Sequence, residues 1–130
     1  MPVILPGIHD SELRRIEIPG DKTLSLTFET IRKELRSIIL EGVEDFRCDA
    51  LLAGNIISDL WKIEEPALDD LVRVYCRESQ FDKNRPLSEA DRDMLRRKQE
   101  AVRRGDLIFL RLESSYGCVM DALCRGFRIA

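Results

Sequence analysis

The residues best equipped for chemistry stand together near the start of the chain. In GIHDSELRRI, His9, Asp10 and Ser11 supply an imidazole, a carboxylate and a hydroxyl, and His9 is the single histidine among 130 residues. An imidazole activates a hydroxyl when it lies within hydrogen-bond reach of both the nucleophile and an orienting acid. Three consecutive residues on an extended chain point in different directions, so this trio does not make a triad by itself. No Gly-x-Ser-x-Gly elbow elsewhere supplies another nucleophile. Two readings follow. In the plainer one, Asp10 or Ser11 closes a turn and His9 anchors the first loop by a hydrogen bond. In the chemical one, His9 is a base oriented by Asp10 beside a pocket at a sheet end.

Other chemistries find less support. Cys48, Cys76, Cys118 and Cys124 contain no Cys-x2-Cys pair, and one histidine cannot build a multi-histidine site, so no metal is expected. The acidic run EEPALDD reads as a solvated turn. Neither Gly-x-Gly-x-x-Gly nor Gly-x4-Gly-Lys-Ser/Thr occurs, so no nucleotide cofactor is expected. A basic stripe runs through Arg92, Arg96, Arg97, Lys98, Arg103 and Arg104, and such a face can meet phosphates. It lacks interleaved aromatic residues for stacking bases. Its acids precede its bases, as compensation of a helix dipole requires. Asn55 follows Gly54, and Tyr116 precedes Gly117. With His9 they are candidates for a recognition rim at one end of a sheet, or else turn formers.

These side chains must be positioned by the elements around them. IEIPGDKTLSLTFE alternates apolar and polar residues on both sides of a Pro-Gly turn, which predicts a hairpin. KELRSIILEGV predicts a third strand with Ile38 and Leu40 on one face. DFRCDALLAGNIISDLWKI predicts two more, separated at Gly54-Asn55, with Ile57, Trp61 and Ile63 on a common side. This half reads as an antiparallel meander, one face packed and one wet.

From Pro66 the pattern changes. EEPALDDLVRVYCRES suits a short helix, although LVRVYC also fits a strand, and SQFDKNRP is a loop. LSEADRDMLRRKQEAVRRGD is the clearest helix, with Ser88 as N-cap, Asp91 in its first turn and Gly105 as its stop. Its apolar stripe is Ala90, Met94, Leu95, Ala101 and Val102. DLIFLRLESS, a Tyr116-Gly117 turn and CVMDALCRGFRIA return to strands, the first of them central in the sheet. The expected architecture is a single α+β domain over residues 1–130. An antiparallel sheet of about six or seven strands carries one or two helices on one face, inserted between the N-terminal and C-terminal strands.

Composition agrees with one soluble domain. Hydrophobic residues make up 44% of the chain and charged residues 35%, enough for a core beneath a surface of both signs. The net charge of −3 argues against a general nucleic-acid binder. MPVILPGIHD has no positive n-region, and no stretch nears the roughly 20 apolar residues that cross a bilayer. A cytoplasmic location with reduced thiols and no membrane partner is therefore expected.

IHDS before a hairpin, LEGVEDFRCD leading into GNIISDL, and the closing RLESSYG and ALC resemble small bacterial proteins. Some of these are similar to immunity proteins, which neutralise a companion toxin by binding it. The resemblance runs through both sheet-forming ends of the chain and omits the stretch from Glu64 to Gly105. It implies a non-enzymatic bacterial protein with a protein partner, and it carries no catalytic residues. The residues leave two other readings open: a small-ligand site or enzyme around His9, and weak nucleic-acid binding by the Arg92–Arg104 helix. A homodimer through a strand edge is compatible with each of them.

Overall fold

The computed structural model describes residues 7–75 and 87–130. In chain order the elements are β1 (Ser11–Gly20), β2 (Thr23–Glu29), β3 (Leu35–Glu41), β4 (Asp45–Asp49) and β5 (Ile56–Ile63). Then come α1 (Leu68–Tyr75), α2 (Glu89–Arg104), β6 (Ile108–Tyr116), β7 (Val119–Cys124) and β8 (Gly126–Ile129). The fold is α+β: one antiparallel sheet of eight strands among the described residues, with both helices between β5 and β6. The stretch LVRVYC is helical through Tyr75. Cys76, the loop expected over SQFDKNRP and the first six residues lie outside the described residues.

Alternation sets the first strands. Leu24, Leu26 and Phe28 on β2 and Ile38 and Leu40 on β3 are buried, while the residues between them are half-exposed. Ile16 faces Leu26 across the β1–β2 hairpin. The meander ends there, because β4 pairs with β7 and not with β5.

The strand order is β4-β7-β6-β5-β1-β2-β3-β8. In an open sheet of that order β4 and β8 would lie at opposite edges. Yet only Gly42, Val43 and Glu44 separate β3 from β4, and only Arg125 separates β7 from β8. The Glu44 N–H donates to the Leu123 carbonyl at 2.8 Å, and the Arg125 N–H donates to the Glu41 carbonyl at 3.0 Å. The β3–β8 and β4–β7 ladders are thus two halves of one bent ribbon, and the sheet closes on itself. The result is two layers, β8-β3-β2-β1 and β5-β6-β7-β4, joined by that bend and by a short β1–β5 pairing. Strands that switch layers at bends make such corners. The main core fills the space between, with Phe28, Ile38 and Leu40 from one layer meeting Leu60, Leu112 and Met120 from the other.

The helices cover the outer face of the second layer. There Ile63, Phe109 and Leu123 meet Leu71 and Val74 of α1 and Leu95 and Val102 of α2. β6 is therefore buried on both sides, as its nearly unbroken apolar run requires. β5 also feeds both cores. Its register against β6 shifts between Ile57 and Asp59, so Ile57 and Leu60 join the inner core and Ile63 the outer one. The bulge thus parts Ile57 from Ile63, which simple alternation puts on a common side.

α2 has the caps its sequence predicts. Ser88 Oγ accepts the Asp91 N–H at 3.1 Å, and Gly105, left-handed at φ 86°, turns its N–H back on the Ala101 and Val102 carbonyls. Of its apolar stripe, Leu95 and Val102 are buried and Ala90 is exposed.

Candidate interaction surface

His9 and Ser11 do not meet as base and nucleophile. The His9 ring donates through Nδ1 to the Ser58 carbonyl at 3.0 Å and holds Nε2 3.7 Å from Asp10 Oδ1. Ser11 is fully buried, and its hydroxyl has no hydrogen-bond partner among the described residues. Asp10 takes the left-handed φ of 63°, and its N–H donates to the Ile57 carbonyl, so HDS turns the chain into the β1–β5 seam. His9 and Asp10, both exposed, also line a surface cleft of about 410 Å³ together with Thr30, Arg32, Glu34 and Arg36.

Asn55 and Tyr116 come together beside the N-terminal part of β1, where the Asn55 carbonyl accepts the Leu13 N–H and Ile56 faces Tyr116. The loop between β4 and β5 leaves beside Val119, which faces Asp49, and returns beside Tyr116, which faces Ile56. Asn55 is buried between this loop and the β6–β7 turn. Its Oδ1 accepts the Leu52 N–H and the Cys118 N–H, each at 3.0 Å, and its Nδ2 donates to the Leu52 carbonyl at 2.6 Å. Gly117 sits against it at φ 96°, where an added Cβ would lie 2.4 Å from Asn55 Oδ1. Only glycine fits that approach. The Ser114 hydroxyl donates to the Cys118 carbonyl and closes the turn from the other side.

On this knot stand Leu51, Leu52, Tyr116 and Val119, all exposed, Tyr116 to 60%. Backbone and Asn55 bonds hold the loop while its large apolar side chains face outward. Asn55 is therefore the scaffold of this surface, and Tyr116 is part of the surface itself. The sequence shows LL and YG plainly, but it does not show which way LL points. That direction depends on a long-range bond from Asn55 to Cys118.

The basic face of α2 is partly self-neutralised. Arg92, Arg96, Arg97 and Arg103 are exposed. Arg96 pairs with Asp93, Arg103 with Glu100 and Arg104 with Asp106. Lys98 turns inward, 2.6 Å from Asp45 on β4 and 5.8 Å from the centre of the Tyr75 ring. It ties α2 to the sheet.

A partly buried charge cluster escaped the sequence reading. Arg111 Nε donates to Asp121 Oδ1 at 2.8 Å, and its Nη2 donates to Asp70 Oδ1 at 3.0 Å. Asp70 Oδ2 also accepts the Ala67 N–H at the start of α1. The carboxylates beside Arg111, Asp121 first, hold its proton more tightly than usual. A signal was present, since Arg111 and Asp121 each interrupt an apolar strand in FLRLE and VMDALC. The three residues fasten α1 to the second layer.

Among the described residues no group of three or more His, Cys, Asp or Glu side chains is arranged to hold a metal, and no helix is long and apolar enough to cross a membrane. Compared with protein-family models, with curated proteins and with solved structures, the chain matches none.

Proposed function

We propose that this chain is a non-enzymatic bacterial cytosolic protein that binds another protein and neutralises it by occlusion, in the manner of immunity proteins. The observation that carries the reading is the exposure of Leu51 and Leu52 on the β4–β5 loop and of Tyr116 and Val119 at the ends of β6 and β7, which Asn55 ties together. Grouped exposed apolar side chains mark interaction sites. A surface fixed before contact loses little conformational freedom on binding, and tyrosine is a favoured anchor in interfaces. The charged residues around it, of both signs, would steer the partner.

The test is capture of a partner by the tagged protein in its source cells, followed by binding of the two purified proteins. Leu51→Asp and Tyr116→Ala should each weaken that binding about tenfold or more while leaving the melting temperature unchanged. Undiminished binding by both variants would remove the surface from the function.

One observation favours a second reading, a small-ligand site. The cleft beside His9 and Asp10 also presents Arg32 and Arg36, a setting for a small anion. Titration with inorganic phosphate, followed through the His9 ring resonances, decides it. Saturable shifts support the site, and unmoved resonances dismiss it. Nucleic-acid binding by α2 has less in its favour, since Arg96, Arg103 and Arg104 pair with acids within the helix and its end.

A further inference from the structure

β2 pairs with β1 from Glu12 to Gly20, but on the other side β5 pairs only with Ser11 and Glu12. The Leu13 N–H still reaches the Asn55 carbonyl. From Arg14 onward that edge of β1 has no neighbouring strand among the described residues. An open hollow of about 330 Å³ runs beside it, between Leu13–Ile16 and the loop residues Leu51–Ala53. An edge of this kind is a template for another strand.

We infer that the strand it takes is β1 of a second copy, antiparallel, about a two-fold axis at Ile16. Arg15, Ile16 and Glu17 pair in regular register with Thr27, Leu26 and Ser25, and register shifts flank them on both sides. This short regular stretch is complementary to itself. An axis at Ile16 sets Arg15 of each copy opposite Glu17 of the other, so both cross-strand pairs join opposite charges. Moving the axis to Arg15 sets Arg15 opposite its own copy, and moving it to Glu17 sets Glu17 opposite its own copy, so either neighbouring axis joins like charges. The same pairing covers Ile18, which is 77% exposed in the single chain, and lays it against Arg14 of the second copy. A C2 contact of one patch with itself is the commonest form of association.

The regular ladder is short and Pro19 follows it, so the dimer is weak and depends on concentration. In the single chain Arg15 and Glu17 already form a 3.3 Å pair along the strand. The dimer exchanges that exposed pair for two pairs across the axis. The proposal does not rest on the protein-partner reading and can hold or fail without it.

Sedimentation equilibrium at low salt tests it. The weight-average mass of the wild type should rise from 15.0 kDa toward the dimer as concentration increases. Glu17→Arg makes both paired positions, 15 and 17, basic, and Arg15→Glu makes both acidic. Each alone should associate about tenfold more weakly, and an equimolar mixture of the two should associate again. Pairing within one chain cannot produce that recovery. Ile18→Lys, at an exposed position, should weaken association without affecting folding. A wild type that stays at the monomer mass throughout would overturn the proposal. So would charge variants that associate as well as the wild type, or folded variants whose mixture remains monomeric.

Discussion

Arg111 on β6 and Asp121 on β7 face each other across the ladder and join through Nε and Oδ1 at 2.8 Å, beneath α1. Asp121 is 3% exposed. A carboxylate buried that deeply is tolerable only with its partner in place. Arg111→Met should therefore destabilise the domain by about 3–5 kcal/mol, read as a lower urea midpoint. Asp121→Leu alone should cost a similar amount. The double variant should recover part of the loss, because the deeply buried Asp121 carboxylate is then gone and only the half-buried Asp70 has lost its guanidinium partner. A double variant as unstable as the sum of the two would show that the residues act independently.

The inner core sets a simpler test. Leu26 and Leu110 come from the two opposed layers and are both buried. Leu26→Asp or Leu110→Asp would place a carboxylate without a partner between the sheets. Either variant should fail to give a cooperative melting transition, since an unpaired buried charge consumes most of a small domain's stability. Retention of the wild-type melting temperature would mean that these side chains do not face the core.

Much of this fold was legible in the sequence, and what escaped has one cause. Period-two alternation located β1, β2 and β3, and cap chemistry located α2, because both signals are local. The closure of the sheet was not local. It depends on β3 running on into β4 while β7 runs on into β8, and alternation does not reveal which strands continue each other. The β5 bulge likewise moved Ile63 to a different core from Ile57. At the candidate surface, Tyr116 was visible as a residue of a turn. The outward face of Leu51 and Leu52 became visible only with the bond from Asn55 to Cys118, 63 residues apart.

Two thiols predict how stability depends on pH. Burial pushes Cys124 from 9.0 up to about 11, and burial with Cys118 nearby does the same to Cys48. Between these values the unfolded chain has lost protons that the folded chain keeps. Their contribution is therefore complete below pH 9 and is lost as pH rises toward 11. Urea midpoints measured across that window should fall for the wild type. Cys124→Ala should fall less steeply, although it starts from lower stability at neutral pH. Equal slopes would mean that Cys124 is exposed to solvent in the folded state.

The knot beneath the candidate surface predicts a coupling that separate effects would not give. Asn55→Ala removes the acceptor of the Leu52 and Cys118 N–H groups and the donor to the Leu52 carbonyl. Leaving buried polar groups unsatisfied should cost about 2–4 kcal/mol. Gly117→Ala should also be costly, because its Cβ meets Asn55 Oδ1 and its φ is left-handed. In the double variant the atom that the new Cβ would strike is gone. Only the backbone strain and the lost hydrogen bonds then remain, so the double variant should be more stable than the two separate losses predict, by about 1 kcal/mol. Urea denaturation of the four proteins measures the difference. Strict additivity would mean that Gly117 and Asn55 do not press on each other, and the loops bearing Leu51, Leu52 and Tyr116 would then lack their proposed common support.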